Sequence, residues 1–458
     1  MENNPQTLII GAGITGLCVA HSLHHSKNSF QILDTSKSIG GALQSYQSDG
    51  FLAEHGPNSL LLKDKRIVDF FEKIDLSDAL IQDARPEAHN RFIVSDGKLC
   101  SVPTSPLRIF RSPLLNLTSI LQLTKEPFTS RYDGGEDESF ASFVRRRLGS
   151  EVLTNLAAPF VSGIYAGDPN QLSVKHAFPR LWALEKDHRS LFLAAFAKKK
   201  AKYKNPHTLS PTRTISFQGG LTQLPKAISK QLSAETIQLD CKIKKINKHP
   251  NGWEVTWLDS ENTEHISHYK KLVIAIPHHR LSSLPLPSEI SQQLKAVSAI
   301  KAPPVTSLVL GFKRSQIKHP LNGFGMLIKK SEKSPLLGVL FSSSMFDHRA
   351  PDNHVTLTCM MGGTRNPAHA ENEDHIVIAE LNRLLGVQGG PVFRHRTHWK
   401  NAIPQYNIGY QSVIDSLENC EENHPNLDFC GNYRGGVSVT DCIINGLELG
   451  QRLSSTDE

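Results

Sequence analysis

The first 34 residues combine two apolar runs with a stretch of helical spacing between them. The runs cover residues 8–10 and 30–33, and a glycine-rich turn follows the first of them. Short apolar runs bounded by turn residues are typical of buried strands, whereas a longer periodic stretch favours a helix. The pattern predicts strand, turn, helix and strand, which is how a Rossmann-like domain of an α/β protein begins.

Other apolar patterns predict further elements. Two extended runs, 91–94 and 99–102, flank Asp96-Gly97 and predict a hairpin, while strands such as 305–312 and 354–360 predict an antiparallel sheet within residues 284–405. Helical spacing at residues 64–81 and 138–156 predicts two helical stretches. Within the second stretch, we expect Arg145-Arg146-Arg147 to lie on a solvated face.

The turn after the first strand has the chemistry of a dinucleotide-binding loop. It reads Gly11-Ala12-Gly13-Ile14-Thr15-Gly16, and Asp34 ends the second strand. The first glycine permits the tight turn, the second lets backbone N–H groups approach a pyrophosphate, and the third lets the helix pack on the strand. The pyrophosphate would lie at the helix N-terminus, and Asp34 would accept hydrogen bonds from the adenosine ribose. The alternative is an incidental glycine turn.

Two segments beyond Asp34 indicate which dinucleotide binds. Gly40-Gly41 is followed by Gly56-Pro57-Asn58-Ser59. A second glycine pair lets another stretch of backbone pass close to the cofactor, which nicotinamide enzymes rarely need. The arrangement resembles the FAD-binding start of the flavin amine-oxidase superfamily, where Glu more often stands at the position of Asp34. The shorter Asp predicts a looser or water-mediated ribose contact, and the cofactor we expect is FAD.

Composition narrows the function classes. The chain has 51 Lys and Arg against 44 Asp and Glu, a net charge of +7, which fits an anionic substrate, an anionic membrane surface or an ordinary basic surface and does not indicate nucleic acid. Its seven cysteines and its histidines lack disulfide or zinc spacing, so we expect no metal site. Without a signal-peptide or membrane-spanning pattern, we expect a cytoplasmic protein with at most peripheral membrane contact.

Two segments predict a helical subdomain. Residues 103–127 mix apolar residues, prolines and basic residues, so that an apolar outer face beside Arg108 and Arg111 could seat on an anionic bilayer; the alternative is plain core. Residues 159–179 contain Gly163, Gly167 and Pro169, which predict a tight loop that ends at Ser173, a helix-capping residue.

Residues 138–149 and 159–179 closely resemble the protoporphyrinogen oxidases, the FAD-dependent enzymes of haem biosynthesis. Residues 216–225 resemble that family's SF-x-GG segment, and the resemblance runs nearly from end to end. It implies an α/β fold, α+β overall. A Rossmann-like FAD-binding domain would comprise residues 1–83, 206–283 and 406–458, a mixed-sheet substrate domain residues 84–102 and 284–405, and a helical, membrane-facing subdomain residues 103–205.

The resemblance also implies a substrate, an acceptor and substrate-binding residues. The substrate would be a porphyrinogen, and electrons would return to O2 as hydrogen peroxide. Arg91 matches the family's propionate-binding arginine, and a guanidinium suits a carboxylate because it can donate two parallel hydrogen bonds. Leu327 and Leu340 match positions that hold the tetrapyrrole, and Met360 stands where plant relatives have a stacking aromatic residue. No general base is evident.

Further positions are implied to contact the cofactor. Asn58 matches a polar residue near the flavin, and Ile243 matches one that touches adenine. Trp399 is a further candidate for flavin contact. Gly431 and Val437-Ser438-Val439 belong to the segment that closes the FAD site in relatives, where glycines free backbone N–H groups at a helix start.

Several readings stay open at this level. The first is oxidation of protoporphyrinogen IX, and its nearest rival is oxidation of coproporphyrinogen III by the same chemistry. An amine oxidase is a more distant rival. A flavin-binding but non-catalytic partner of the haem pathway represents a different class. A homodimer is also left open.

Overall fold

A computed structural model describes residues 5–76, 80–103, 112–132, 134–135, 137–188, 190–192, 207–367 and 374–455. Its strands are β1 (Thr7–Ile10), β2 (Phe30–Leu33), β3 (Ser45–Ser48), β4 (Phe51–Glu54), β5 (Leu60–Asp64), β6 (Ile81–Asp83), β7 (Arg91–Ser95), β8 (Lys98–Ser101), β9 (Thr208–Phe217), β10 (Ile237–Gln238), β11 (Lys242–His249), β12 (Gly252–Leu258), β13 (Glu264–Tyr269), β14 (Lys271–Ile274), β15 (Val305–Lys313), β16 (Gly325–Ile328), β17 (Leu336–Leu340), β18 (His354–Gly362), β19 (Phe393–Trp399) and β20 (Leu427–Phe429).

The α-helices are α1 (Ile14–His25), α2 (Lys65–Lys73), α3 (Leu117–Thr124), α4 (Phe140–Leu148), α5 (Ser150–Val152), α6 (Ala158–Tyr165), α7 (Val174–Ala177), α8 (Pro179–His188), α9 (Gln223–Gln231), α10 (His278–Leu281), α11 (Ser288–Gln293), α12 (Lys295–Ser298), α13 (Ser342–Met345), α14 (Asp374–Leu385), α15 (Gln411–Asn423) and α16 (Val439–Ser455). A π-helical turn covers Leu153–Ala157, and short 3-10 turns cover Pro86–His89, Glu126–Phe128, Ala234–Thr236, Arg314–Gln316 and Lys330–Glu332.

A five-stranded parallel sheet carries the predicted Rossmann-like unit. Its order is β10-β2-β1-β14-β20, and all four pairings are parallel. Helices α1 and α16 pack closely because α16 has glycines at the contact: a β-carbon on Gly446 would lie 2.6 Å from the carbonyl oxygen of Thr15. The strand, turn, helix and strand predicted for the first 34 residues are confirmed.

A seven-stranded sheet forms the second large part of the fold. Its order is β19-β15-β18-β17-β16-β7-β8, and β16 with β7 is its parallel pair while the others are antiparallel. One face is packed against α14, where side chains such as Leu308, Phe312 and Leu381 are fully buried. The predicted sheet and the predicted hairpin, β7-β8, are therefore both confirmed, and they belong to one mixed sheet.

The expectation of a solvated face at residues 145–147 is wrong for Arg147, which is 1% exposed. Its guanidinium donates to Glu126 Oε1 at 3.3 Å and to Glu185 Oε1, while Arg146 donates to Glu138 and Glu185 at 2.7 and 2.8 Å. Buried charges are tolerated when they are paired. The carboxylates come from segments distant in the chain, so the arginine run alone could not indicate them.

The predicted loop at residues 159–179 is partly helical. Gly163 lies inside α6, which ends at Tyr165 before Ala166 adopts a left-handed conformation with φ +50°. The rest of the segment is a loop until Ser173, whose Oγ accepts a hydrogen bond from the N–H of His176 at 3.1 Å and caps α7 as predicted. The spacing of Gly163, Gly167 and Pro169 predicts a loop because glycine and proline are both unfavourable within a helix.

The helical stretches differ from prediction in length. Helix α2 ends at Lys73, short of the predicted residue 81, where β6 begins. The stretch 138–156 is helical as predicted but is interrupted at Gly149, which has φ +94°.

The predicted membrane-facing segment is covered only in part. Arg108 and Arg111 lie outside the described residues. None of the helices in the described ranges is long and apolar enough to cross a bilayer. The domain boundaries given above stay predictions.

Candidate functional site

The glycines of the first turn meet different constraints. Gly11 has φ +114°, and a β-carbon there would lie 2.7 Å from the carbonyl oxygen of Ala275; one on Gly16 would lie 2.0 Å from the carbonyl oxygen of Gly11. A β-carbon on Gly13 would meet no atom within 4 Å. Packing therefore requires the first and third glycines, whereas the second borders open space where a phosphate can approach the backbone.

Asp34 links the end of β2 to this turn. Its Oδ2 accepts a hydrogen bond from the Ala12 N–H at 2.6 Å, and its Oδ1 accepts one from the Ser36 N–H at 2.7 Å. Each carboxylate oxygen has two lone pairs, so capacity remains for ribose hydroxyls. The ribose contact stays a prediction.

The second glycine pair lies directly on the first turn. The Gly40 N–H donates to the carbonyl oxygen of Ala12 at 2.7 Å, and a β-carbon on Gly41 would lie 3.3 Å from the Cα of Gly13. Both residues have positive φ, +98° and +59°. The two predicted cofactor segments are therefore brought together, and only small residues fit between them.

Residues 56–59 run beside the second glycine pair. A β-carbon on Gly56 would lie 2.9 Å from the carbonyl oxygen of Ala42, and Asn58 Nδ2 donates to the carbonyl oxygen of Gly56 at 3.2 Å. Trp399 Nε1 donates to the carbonyl oxygen of His55 at 2.8 Å. The indole N–H thus already has an acceptor in the chain, so a flavin contact by Trp399 would use its ring.

The remaining predicted cofactor residues flank the same sheet. Cys241, at the start of the segment that carries Ile243, donates its N–H to the carbonyl oxygen of Asp34 at 2.9 Å. Gly431 follows β20 with φ +154°. Ser438 lies between Val437 and Val439, and its Oγ accepts the Asp441 N–H at 3.2 Å at the start of α16.

Strand register places Arg91 and Leu340 on one sheet face. Arg91 on β7 pairs with Gly325 on β16, and Gly325 pairs with Leu340 on β17. Paired residues of neighbouring strands point to the same side of a sheet, whereas successive residues alternate. Arg91 is exposed, and its guanidinium carbon lies 4.9 Å from the ring centroid of Phe324.

A second row brings Leu327 and Met360 to that face. Leu327 pairs with Gly338, which pairs with Met360 on β18, and Leu327 stands two residues after Gly325. The four predicted substrate residues therefore share the sheet face opposite α14. We call this surface the substrate face. Leu327, Leu340 and Met360 are half-buried, whereas their immediate neighbours Met326, Val339 and Met361 are buried on the α14 side.

Two features of this surface were missed from the sequence. Gly163 of α6 lies against Leu327, since a β-carbon there would be 2.5 Å from Leu327 Cδ2, so α6 forms a wall beside the substrate face. Gly163 lies in the segment 159–179 that resembles the protoporphyrinogen oxidases, which was a signal for a role in the site. Its spacing in the sequence did not indicate the contact with Leu327. No pattern indicated the second feature, His395.

His395 belongs to the same face and stacks on His55. Register runs from His395 through Val309 and Thr358 to Leu340, and the imidazole centroids of His395 and His55 are 4.9 Å apart with planes 19° apart. Burial lowers the pKa of both imidazoles; for His395 the neighbouring His55 adds to this effect. The stacked pair therefore connects β19 to the residue that precedes residues 56–59.

Comparisons with known proteins identify the family and the fold. A family model described as flavin containing amine oxidoreductase matches residues 14–453. Protoporphyrinogen oxidase 2 of Arabidopsis thaliana is 30% identical over 96% of this chain and 91% of its own. Coproporphyrinogen III oxidase of Bacillus subtilis is 26% identical over 97% of both chains. A crystal structure of a protein from Exiguobacterium sp. 255-15, 20% identical, has the same fold with a TM-score of 0.80 over 99% of both chains.

The glycine turn with its open second position fits FAD, as the family description requires. The chain belongs to the family of flavin-containing amine oxidoreductases and is an FAD-dependent oxidoreductase.

Proposed function

We propose that the protein oxidises protoporphyrinogen IX to protoporphyrin IX in haem biosynthesis, with O2 as the final acceptor and hydrogen peroxide as the second product. The observation that carries this proposal is the substrate face, on which an exposed arginine adjoins half-buried apolar side chains. A large apolar macrocycle with carboxylate arms needs such a surface. The names of the plant relatives support the same substrate.

Each group of residues has a role in this proposal. Bound FAD supplies the two-electron acceptor, held at the glycine turn, Asp34 and the segment around Ser438. Arg91 binds a propionate with two hydrogen bonds, and Leu327, Leu340 and Met360 cover the tetrapyrrole. With the macrocycle held, orientation of the reacting carbon provides much of the rate enhancement.

Coproporphyrinogen III is the second candidate substrate. It carries propionates where protoporphyrinogen IX has vinyl groups, and relatives of both names cover nearly the whole chain. The apolar side chains of Leu327, Leu340 and Met360 favour vinyl groups, because a carboxylate against them would lose hydration without gaining a partner. The alternative of another class is a protein that binds FAD but does not turn over porphyrinogens.

The proposal places the protein in the cytoplasm in peripheral contact with an anionic membrane. Leu117 and Leu121, one helical turn apart on α3, are 78% and 63% exposed, and nearby Phe128 is 85% exposed. Exposed apolar side chains of this kind can enter the interface of a bilayer. Flotation with anionic vesicles tests this part, and light scattering distinguishes a monomer from a homodimer.

The deciding experiment is anaerobic mixing of the FAD-loaded protein with each porphyrinogen, followed by admission of air. Bleaching of the flavin by protoporphyrinogen IX, then formation of peroxide and porphyrin fluorescence, is the expected result. Faster bleaching by coproporphyrinogen III would select the second substrate. A flavin that neither compound bleaches would contradict porphyrinogen oxidation.

A further inference from the structure

A buried ion pair joins the seven-stranded sheet to the strand that leads into residues 56–59. Arg349 follows β17 and α13 in the chain, and its Nη1 donates to Glu54 Oε1 at 2.7 Å. The two side chains are 3% and 2% exposed. Glu54 is the last residue of β4. The pair therefore lies immediately before the segment that we expect to run beside the flavin.

Glu54 also accepts hydrogen bonds from residues of the predicted FAD-binding domain, to which it belongs. Its Oε2 accepts from Ser45 Oγ at 2.6 Å, and its Oε1 accepts from the Leu221 N–H at 3.0 Å, just after the Gly219-Gly220 pair. Arg349 additionally donates to Ser216 Oγ at the end of β9. Both carboxylate oxygens thus accept hydrogen bonds, and the orientation of the carboxylate is set by residues of both predicted domains.

Two further hydrogen bonds, one between backbone groups and one from the Trp399 indole, reinforce the same junction. The Leu52 N–H donates to the carbonyl oxygen of Arg349 at 3.1 Å, and Trp399 of β19 donates to the carbonyl oxygen of His55 at 2.8 Å. Residues 52, 54 and 55 therefore each form a hydrogen bond with Arg349 or Trp399, which belong to the predicted substrate domain. The position of residues 56–59 relative to the substrate face follows from these bonds.

We propose that Arg349 is a positioning residue for the oxidation: through Glu54 it sets the distance between residues 56–59 and the substrate face. The inference rests on the proposed function. A displacement of the reacting groups by about 1 Å can lower a rate by about a hundredfold. A buried, hydrogen-bonded ion pair fixes the relative orientation of its two side chains as well as their distance. Apolar side chains of similar volume would often hold the two parts together as well, but without fixing an orientation.

The test uses the FAD-loaded full chain and three substitutions. Arg349→Met removes the charge and keeps the volume, Arg349→Lys keeps a charge without the planar fork, and Glu54→Gln keeps the size of the acceptor. The matched control is Arg85→Met, since Arg85 pairs with Asp347, two residues before Arg349, at an exposed site, with side chains 43% and 56% exposed.

The first readout needs no substrate. Hydrogen exchange of the backbone amides of residues 55, 56 and 58–60 is expected to speed up at least tenfold in Arg349→Met and to stay unchanged in Arg85→Met. The second readout is the rate at which the porphyrinogen bleaches the flavin. It is expected to fall ten- to a hundredfold in Arg349→Met with KM within about threefold of wild type, and Arg349→Lys is expected to recover part of it.

The outcomes separate this inference from the proposed function. A wild-type flavin that is not bleached contradicts the function, and the exchange measurement still decides the role of Arg349. A folded, FAD-loaded Arg349→Met protein with wild-type exchange and wild-type bleaching overturns the inference. If that variant does not fold, Glu54→Gln provides the same comparison, and unchanged exchange together with unchanged bleaching in it would overturn the inference equally.

Discussion

Leu327 Cδ2 occupies the space beside Gly163, so that a β-carbon on the glycine would come within 2.5 Å of it. This contact joins helix α6 to the substrate face. We call the space between α6 and the substrate face the proposed slot. Because Leu327 is only half-buried, it can move into this slot rather than into the core. The size of residue 163 therefore controls the shape of the proposed slot.

Gly163→Ala is expected to raise KM for the porphyrinogen about tenfold, since the displaced leucine narrows the slot. Within a helix, alanine is more favourable than glycine by about 1 kcal/mol. Because this gain opposes the cost of displacing the leucine, thermal stability should change little. Steady-state kinetics of the single variant and of Gly163→Ala/Leu327→Val check this. The double variant should recover most of the affinity; no recovery would show that the two side chains do not compete for one space.

Gly13→Val is expected to abolish FAD retention while leaving the apoprotein folded. Gly13 has φ −71°, which valine can adopt, and a β-carbon there meets no atom within 4 Å. Its side chain would instead occupy the space of the pyrophosphate. Gly16→Val is the matched comparison, because a β-carbon at Gly16 clashes with the Gly11 carbonyl oxygen at 2.0 Å and should destabilise the fold itself. Flavin absorbance and circular dichroism distinguish the two effects, and a yellow Gly13→Val protein would contradict the phosphate-loop assignment.

Arg91→Ala is expected to raise KM for the porphyrinogen by about ten- to a hundredfold with unchanged FAD content. Hydrogen bonds to a charged group contribute about 1.5–3 kcal/mol, and Arg91 is exposed on the substrate face, away from the glycine turn. The KM of Arg91→Lys should lie between those of wild type and Arg91→Ala, because lysine keeps the charge but lacks the fork geometry of the guanidinium. Unchanged kinetics in Arg91→Ala would remove this residue from the site.

Arg147→Met is expected to lower the free energy of unfolding by about 3–5 kcal/mol, because it removes the ion pair of the fully buried Glu126 and leaves Glu185 paired only with Arg146, which is partly buried beside it. Arg145 is exposed, and Arg145→Met should change the same quantity by less than about 0.5 kcal/mol. Urea denaturation of both variants measures the difference. Equal midpoints would show that the buried network does not stabilise the helical part.

Stability is expected to fall as the pH decreases from about 6.5 towards 5. Burial lowers the pKa of His21 and of His278 to about 4, with neighbouring histidines adding to the effect. Between that value and the ordinary pKa near 6.5, the unfolded chain binds more protons than the folded one, so stability rises with pH and is complete above 6.5. Each histidine contributes up to about 1.4 kcal/mol per pH unit to the change in the free energy of unfolding. Urea midpoints between pH 5 and 7.5 should show this slope, and His21→Gln should reduce it.

The parts of the site that sequence patterns could predict are those encoded within short windows. The glycine turn, Asp34 and the β7-β8 hairpin each depend on residues close together in the chain, and the structure has them where the patterns indicate. The resemblance supplied Arg91 and its companions, and strand register then placed them on one face.

What could not be predicted depends on partners far apart in the chain. Arg147 looked like part of a solvated face because its carboxylate partners lie in other segments. The pair of Glu54 and Arg349 is separated by 295 positions. Gly163 resembles a loop residue because glycine is unfavourable within a helix, and its contact with Leu327 joins two segments that are far apart in the chain.

The parallel sheet has a consequence for biosynthesis. Strand β1 is made first, but its neighbour β14 pairs on the other side with β20, and α16 packs on α1. The five-stranded sheet and the packing of α16 on α1 can therefore be completed only after residues 427–455 have been synthesised. Contacts of such long sequence separation form slowly. We therefore expect stable FAD binding only after these residues have been translated, and we expect chaperones that shield apolar strands to increase the yield of the flavin-loaded enzyme.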